Sequence, residues 1–197
     1  MQNYSCPPKL RVRRLLKNEI GSAYKIYAEA GRDYRFASEE QLLKIYENGV
    51  IWGAFEGGAL DACTAVCRAD SPADICTAAM KTRLFLPENT LMLPCAGGCD
   101  ENILSSIFSC AALDADSLLI PVKSASNQLS SAFDAGFSLV AMRPLFELRP
   151  HYIFKRKSLD FKSPSVKMNI ADTLSLSRAL ENGFTGVSLE REYVIMK

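Results

Sequence analysis

The stretch Asp116–Leu148, DSLLIPVKSASNQLSSAFDAGFSLVAMRPLFEL, decides the fold of this chain. Its first apolar run, Leu118–Val122, has the length and composition of a buried strand and ends in Ser and Asn, residues that open turns and helices. Asn127–Ala135 then reads as a helix that stops at Gly136. Glycine at this position takes left-handed backbone without a Cβ penalty, so Gly136 is the expected cap and Phe137 the apolar anchor that redirects the chain. A second apolar run, Leu139–Leu148, follows at once; its Pro144 suits an edge or a bulge better than a central ladder.

Working outward, Leu10–Leu16 reads as a strand, and Asn18–Ala30 as a helix with Ile20, Ala23, Tyr24 and Tyr27 on one stripe. Ser38-Glu-Glu-Gln41 is a capping-box pattern opening a helix that Asn48-Gly49 closes. Val50–Phe55 and Leu60–Arg68 flank Glu56-Gly-Gly-Ala59, which predicts an antiparallel hairpin. Ala69–Lys81 reads as a loop with a short helix near Pro72. Thr90–Leu93 predicts a short strand, and Glu101–Leu113 a helix with Asp100 as N-cap and Ile103, Leu104, Ile107, Phe108 and Leu113 on its apolar face. An apolar strand, a helix and another apolar strand in this order predict that Thr90–Leu93 and Leu118–Val122 are adjacent and parallel. Tyr152–Arg156 is expected to return antiparallel after Pro150.

The bulk numbers bound the function. At 197 residues, 48% apolar and 23% charged, the chain suits one packed domain with an appendage. A net charge of +1 gives no global field for nucleic acid or an anionic membrane, so neither is an expected partner. Basic runs at Lys9–Arg14 and His151–Lys157 read as solvated strand edges and ends. The opening MQNYSCPPKL lacks a signal-peptide core, and no run approaches the ~18 apolar residues of a membrane span; a cytoplasmic location is expected. Seven cysteines without a Cys-x-x-Cys framework, beside the single His151, read as buried thiols rather than metal ligands, and no metal is expected.

The order β-α-α-β-β-β-α-β-α-β-β from Leu10 to Lys157, with its Gly136-Phe137 pair, resembles the GNAT superfamily of N-acetyltransferases. The segment AGFSLVAMRPLFEL (Ala135–Leu148) is also similar to sugar-amine acetyltransferases of the TDP-fucosamine type. The resemblance implies an α/β fold: a mixed, mostly antiparallel sheet flanked by helices. It divides the chain into an acyl-CoA N-acyltransferase domain, residues 1–157, and a C-terminal helix–strand extension, residues 158–197, that packs on or extends the sheet. It also implies acetyl-CoA as co-substrate, a small-molecule or peptide amine as acceptor, and a possible homodimer. In that family one strand splays from its neighbour and offers backbone groups to the pantetheine arm, and a glycine-rich loop holds the pyrophosphate at a helix N-terminus. The corresponding residues are Leu93, Cys95, Ala96, Gly97, Gly98 and Cys99, with Asn127 at the start of the next helix.

The match departs from the family pattern at several positions: Cys99 stands where the loop pattern ends in Gly or Ala, and Asn127 aligns only with a shift of about three residues. Pro94 takes the usual Gln or Arg position, Asp100 and Glu101 place carboxylates on the first helical turn, and the tyrosine that serves many members as acid falls at Ala132. Candidate bases and hydroxyl donors are Glu56, Glu88, Glu147, His151 and Tyr152; the histidine is expected in an exposed loop at a strand start. Gly97→Val is expected to obstruct the ligand with less effect on folding. The tail carries a Ser/Pro linker (Lys162–Ser165), a helix over Thr173–Glu181 and one final strand, Val187–Met196. Within it SRALENGFTGV (Ser177–Val187) echoes SSAFDAGFSLV (Ser130–Val140). Three readings remain: a shared way of ending helices, a partial duplication, or a final strand that replaces Tyr152–Arg156 in the sheet.

Overall fold

A computed structural model describes residues 10–30, 38–68, 70, 90–98, 100–114, 118–123, 126–145, 149–156 and 165–197. Glu88, Cys99, Glu147, the Ala69–Lys81 segment apart from Asp70, and the linker before Ser165 lie outside these residues.

The expected elements form where the patterns place them. Strand β1 (Arg11–Arg14) leads through a 3-10 turn into helix α1 (Ile20–Glu29), which buries Ile20, Ala23 and Tyr27 one turn apart. Helix α2 (Glu39–Asn48) starts where the Ser38 hydroxyl accepts from the Gln41 amide, and it buries Leu42 and Ile45. Strands β2 (Val50–Glu56) and β3 (Ala59–Arg68) form the hairpin through Gly57-Gly58. Then come β4 (Thr90–Met92), β5 (Ala96–Gly97), α3 (Glu101–Ala111), β6 (Leu118–Lys123), α4 (Gln128–Asp134), β7 (Ser138–Leu145) and β8 (Arg149–Lys155). Leu113 falls past the end of α3 and is 75% exposed, so the apolar face is shorter than its spacing predicts.

Among the described residues one sheet runs β1-β2-β3-β4-β6-β8-β7 and continues into the tail. Among the described residues only β4 and β6 pair parallel, as predicted for these two, so this is a mixed and largely antiparallel sheet. The face carrying α1 and α2 buries Leu15, Tyr27, Ile51, Leu91 and Ile153; the opposite face, under α3 and α4, buries Phe108, Ile120, Phe133, Tyr152 and Phe154. Among the described residues no helix is long and apolar enough to cross a membrane. Much of the basic run at the first strand is tied down: Arg13 forks onto Glu19 at 2.6 and 2.8 Å, and Arg14 and the Trp52 indole N–H both donate to Asp114.

The tail departs from its expected single strand. Strand β9 (Val166–Asn169) precedes helix α5 (Thr173–Glu181), and the final segment is a hairpin, β10 (Gly186–Glu190) and β11 (Tyr193–Met196). The run Glu190-Arg191-Glu192 interrupts the apolar pattern, and Arg191 takes φ 57° at the turn. The final strands add to the sheet and replace nothing: β8 stays between β6 and β7, and β11 lies between β10 and β9.

The sequence echo extends to connectivity. The unit β6-α4-β7-β8 has strand order β6-β8-β7, and β9-α5-β10-β11 has order β9-β11-β10. The helix ends match bond for bond. Phe137 N donates to Ala132 O at 3.0 Å, and Phe184 N, 47 positions on in sequence, donates to Ala179 O at 3.1 Å. The two units meet antiparallel where β7 touches β10, and the paired residues there are Leu139 and Gly186, also equivalent in the echo. A two-fold relation requires this, because only equivalent positions meet on its axis. Gly186 fits for a steric reason: a Cβ there would lie 2.9 Å from the Leu139 Cβ and 2.7 Å from Val194 Cγ1.

Candidate functional site

Strands β4 and β6 are in register at Thr90↔Leu118 and Leu91↔Leu119, and their ladder stops there. Beyond Met92 the chain stays with β3. Leu93 N donates to Ala65 O at 2.8 Å, the Thr64 hydroxyl donates to Leu93 O at 2.5 Å, and Ala96 and Gly97 face Cys63 and Ala62. Pro94 reinforces the parting, because it has no N–H to offer a neighbouring strand.

This parting leaves the Cys95 backbone with no strand partner, although Cys95 is buried. A buried peptide group without hydrogen bonds costs about 1–3 kcal/mol per missing partner. Gln128, the first residue of α4, supplies both partners: its Oε1 accepts from Cys95 N at 2.9 Å, and its Nε2 donates to Cys95 O at 2.8 Å. The side chain is 7% exposed. One carboxamide thus replaces the peptide that β6 withholds.

The chain next turns through Gly97 (φ 72°) and Gly98 (φ 58°) and enters α3. Main-chain amides and the helix dipole favour an anion at such a helix start. The charges there oppose it. Asp100 caps the helix by accepting from Asn102 N at 2.7 Å, Glu101 follows in the first turn, and the Asp61 carboxylate lies 3.4 Å from where a Cβ on Gly98 would stand. Gly97 is also required by the fold itself: a Cβ would sit 2.2 Å from Asp61 O and 2.9 Å from Ile26 Cγ2. This corrects the expectation that Gly97→Val acts on the ligand with less effect on folding.

The cofactor candidates are gathered in one place. Leu93, Cys95 and Ala96 are buried, Gly98 is half-buried, Gly97 is exposed, and Asn127 directly precedes Gln128 at the head of α4 without a side-chain cap bond. Burial holds the Cys95 thiol well above its ordinary pKa, so it is no thiolate nucleophile. The catalytic candidates scatter. Glu56 is exposed at the end of β2, beside the hairpin turn, with β3 between it and the parting. His151 is not in an exposed loop. It is fully buried in β8, in register with Lys123 and Arg143, and alternation puts it on the same face as Ile153. Tyr152 faces the other way and donates to Ile170 O at 2.9 Å, so its hydroxyl anchors the tail. Ala132 is fully buried, and Glu88, Glu147 and Cys99 lie outside the described residues. Gln128, the residue that closes the parting, escaped the sequence reading; the available signal was a long polar side chain at the first position of a helix that buries its neighbours.

No family model matches the sequence, and no curated protein is a significant match. Solved structures do match. One is a putative acetyltransferase from Salmonella typhimurium with its cofactor acetyl-CoA (TM-score 0.55, 13% identity, 79% of this chain and 97% of that one). Another is a GNAT-family acetyltransferase from Streptococcus agalactiae (TM-score 0.53, 9% identity, 77% and 96%). A third is a Bacillus subtilis acetyltransferase in complex with CoA (TM-score 0.50, 17% identity, 77% and 100%). The chain has the fold of the GNAT acetyltransferases.

Proposed function

We propose that this chain is a divergent GNAT N-acyltransferase that moves the acetyl group of acetyl-CoA directly to an amine, small molecule or peptide, in the cytoplasm. The observation that carries this reading is the parting of β4 from β6, followed at once by Gly97-Gly98 and the N-terminus of α3. In this reading the backbone of Cys95 and of the Gly97-Gly98 turn holds the co-substrate, lined by Leu93 and Ala96, and residues 1–157 form the catalytic unit with 158–197 as its extension. The amine nitrogen attacks the thioester carbonyl carbon, the C–S bond breaks, and a proton passes in net from nitrogen to sulfur. Catalysis then rests on positioning and backbone donors, because Ala132 brings no acid from α4.

A specific observation favours a second reading, a binding or regulatory module without transfer activity: Gln128 already satisfies Cys95, the Asp61 carboxylate lies against the glycine turn, and Asp100 and Glu101 put two more carboxylates at the start of α3. Calorimetry and thermal shift with acetyl-CoA and free CoA separate the two. A transferase gives heat and a raised melting temperature, since a ligand that binds only the folded state stabilises it. Neither signal, in wild type or in Asp100→Asn, leaves the module as the account.

A further inference from the structure

We propose that Gln128 sets the affinity and selectivity of the acyl-CoA slot, because its carboxamide holds the pair of backbone hydrogen bonds for which the amides of the entering pantetheine arm compete; this rests on the transferase reading above. Between Leu93 and Cys95 the other committed groups are held from within the sheet. Leu93 N and O go to Ala65 and Thr64 of β3, and Pro94 has no N–H. Cys95 N and O are held from outside the sheet, by one side chain on one helix. A trans secondary amide points its N–H and C=O in opposite directions, so the two successive amides of the pantetheine arm, one offering C=O to Cys95 N and the other N–H to Cys95 O, together replace both hydrogen bonds.

Two features make the exchange feasible. Gln128 is the first residue of α4, so its side chain is released by rotation about its own χ angles with the helix left in place. Its own backbone N–H is held separately, donating to Ser126 Oγ at 3.1 Å, which keeps the helix start intact when the carboxamide leaves. The consequence is selectivity. A thioester arm bearing both amides opposite Cys95 replaces what it displaces, whereas an arm without them leaves a buried N–H and C=O unpaired and is rejected.

The test uses the full chain and two probes, acetyl-CoA and S-acetylpantetheine, the second lacking the pyrophosphate that the carboxylates oppose. Gln128→Ala is expected to melt at a lower temperature without ligand, to bind both probes about three- to tenfold more tightly than wild type, and to show a larger ligand-induced thermal shift. Gln128→Asn, one methylene too short to reach Cys95, is expected to behave alike and serves if the alanine variant fails to fold. Unchanged or weaker binding in a folded variant, with wild type still binding acetyl-CoA, overturns the role of Gln128 and leaves the transferase reading standing. No binding of either probe to wild type or variant overturns both.

Discussion

At the residue scale, hydrogen bonds and steric limits separate groups that look alike in sequence. Glu19 receives the Arg13 guanidinium and the Leu16 amide, and these hold its carboxyl at about 2, below the ordinary value of 4.5. A depressed carboxyl contributes stability that is complete above its unfolded pKa and lost as pH falls through the folded one. Melting temperature is therefore expected to fall between pH 4.5 and about 2 partly through this group, and Glu19→Gln to lower it near neutrality, flatten that part of the profile and converge with wild type at the acid end. The glycines divide similarly. Gly136 has φ 84° with nothing within 4 Å of a Cβ, so Gly136→Ala is expected to cost only the conformational penalty, about 1 kcal/mol in denaturant melts. At Gly97 the added carbon strikes main chain, so Gly97→Ala is expected to cost at least about 2 kcal/mol.

At the element scale, the helix start at Asp100 combines a cap with a charge, and substitution separates them. Asp100→Asn keeps a side-chain acceptor for Asn102 N but removes the negative charge from the first turn. Under the transferase reading its affinity for acetyl-CoA is expected to rise about two- to fivefold by calorimetry, with little change for S-acetylpantetheine. Elements of this kind were legible in the sequence because local chemistry dictates them: Ser38 and Gln41, Gly57-Gly58, Asp100 and Gly136-Phe137 each act within a few residues. The illegible parts depend on distant partners. Nothing local to His151 reports that β6 and β7 flank its strand and that its side chain is buried, and nothing local to Gln128 reports that Cys95, 33 positions away, lacks a strand neighbour. Strand β9 escaped because four residues give too short an alternation to stand out beside a Ser/Pro linker.

At the scale of the whole molecule, the tail is built into the same core as the rest. Leu176, Leu180, Val194 and Met196 share a cluster with Phe133, Leu139 and Phe154, and the Tyr152 hydroxyl reaches across to Ile170. Tyr152→Phe is expected to lose about 1 kcal/mol with the fold intact, whereas deletion of residues 158–197 uncovers both that cluster and the edge of β7, and is expected to yield aggregates by light scattering. The pairing of Leu139 with Gly186 carries a further consequence. A patch that meets its own counterpart is the isologous contact of a symmetric dimer, here joined covalently in cis. Such a contact pays no translational entropy at assembly, so its stability is set by the linker and the packing and is independent of protein concentration. A second copy approaching along β7 finds that berth already taken by the chain itself.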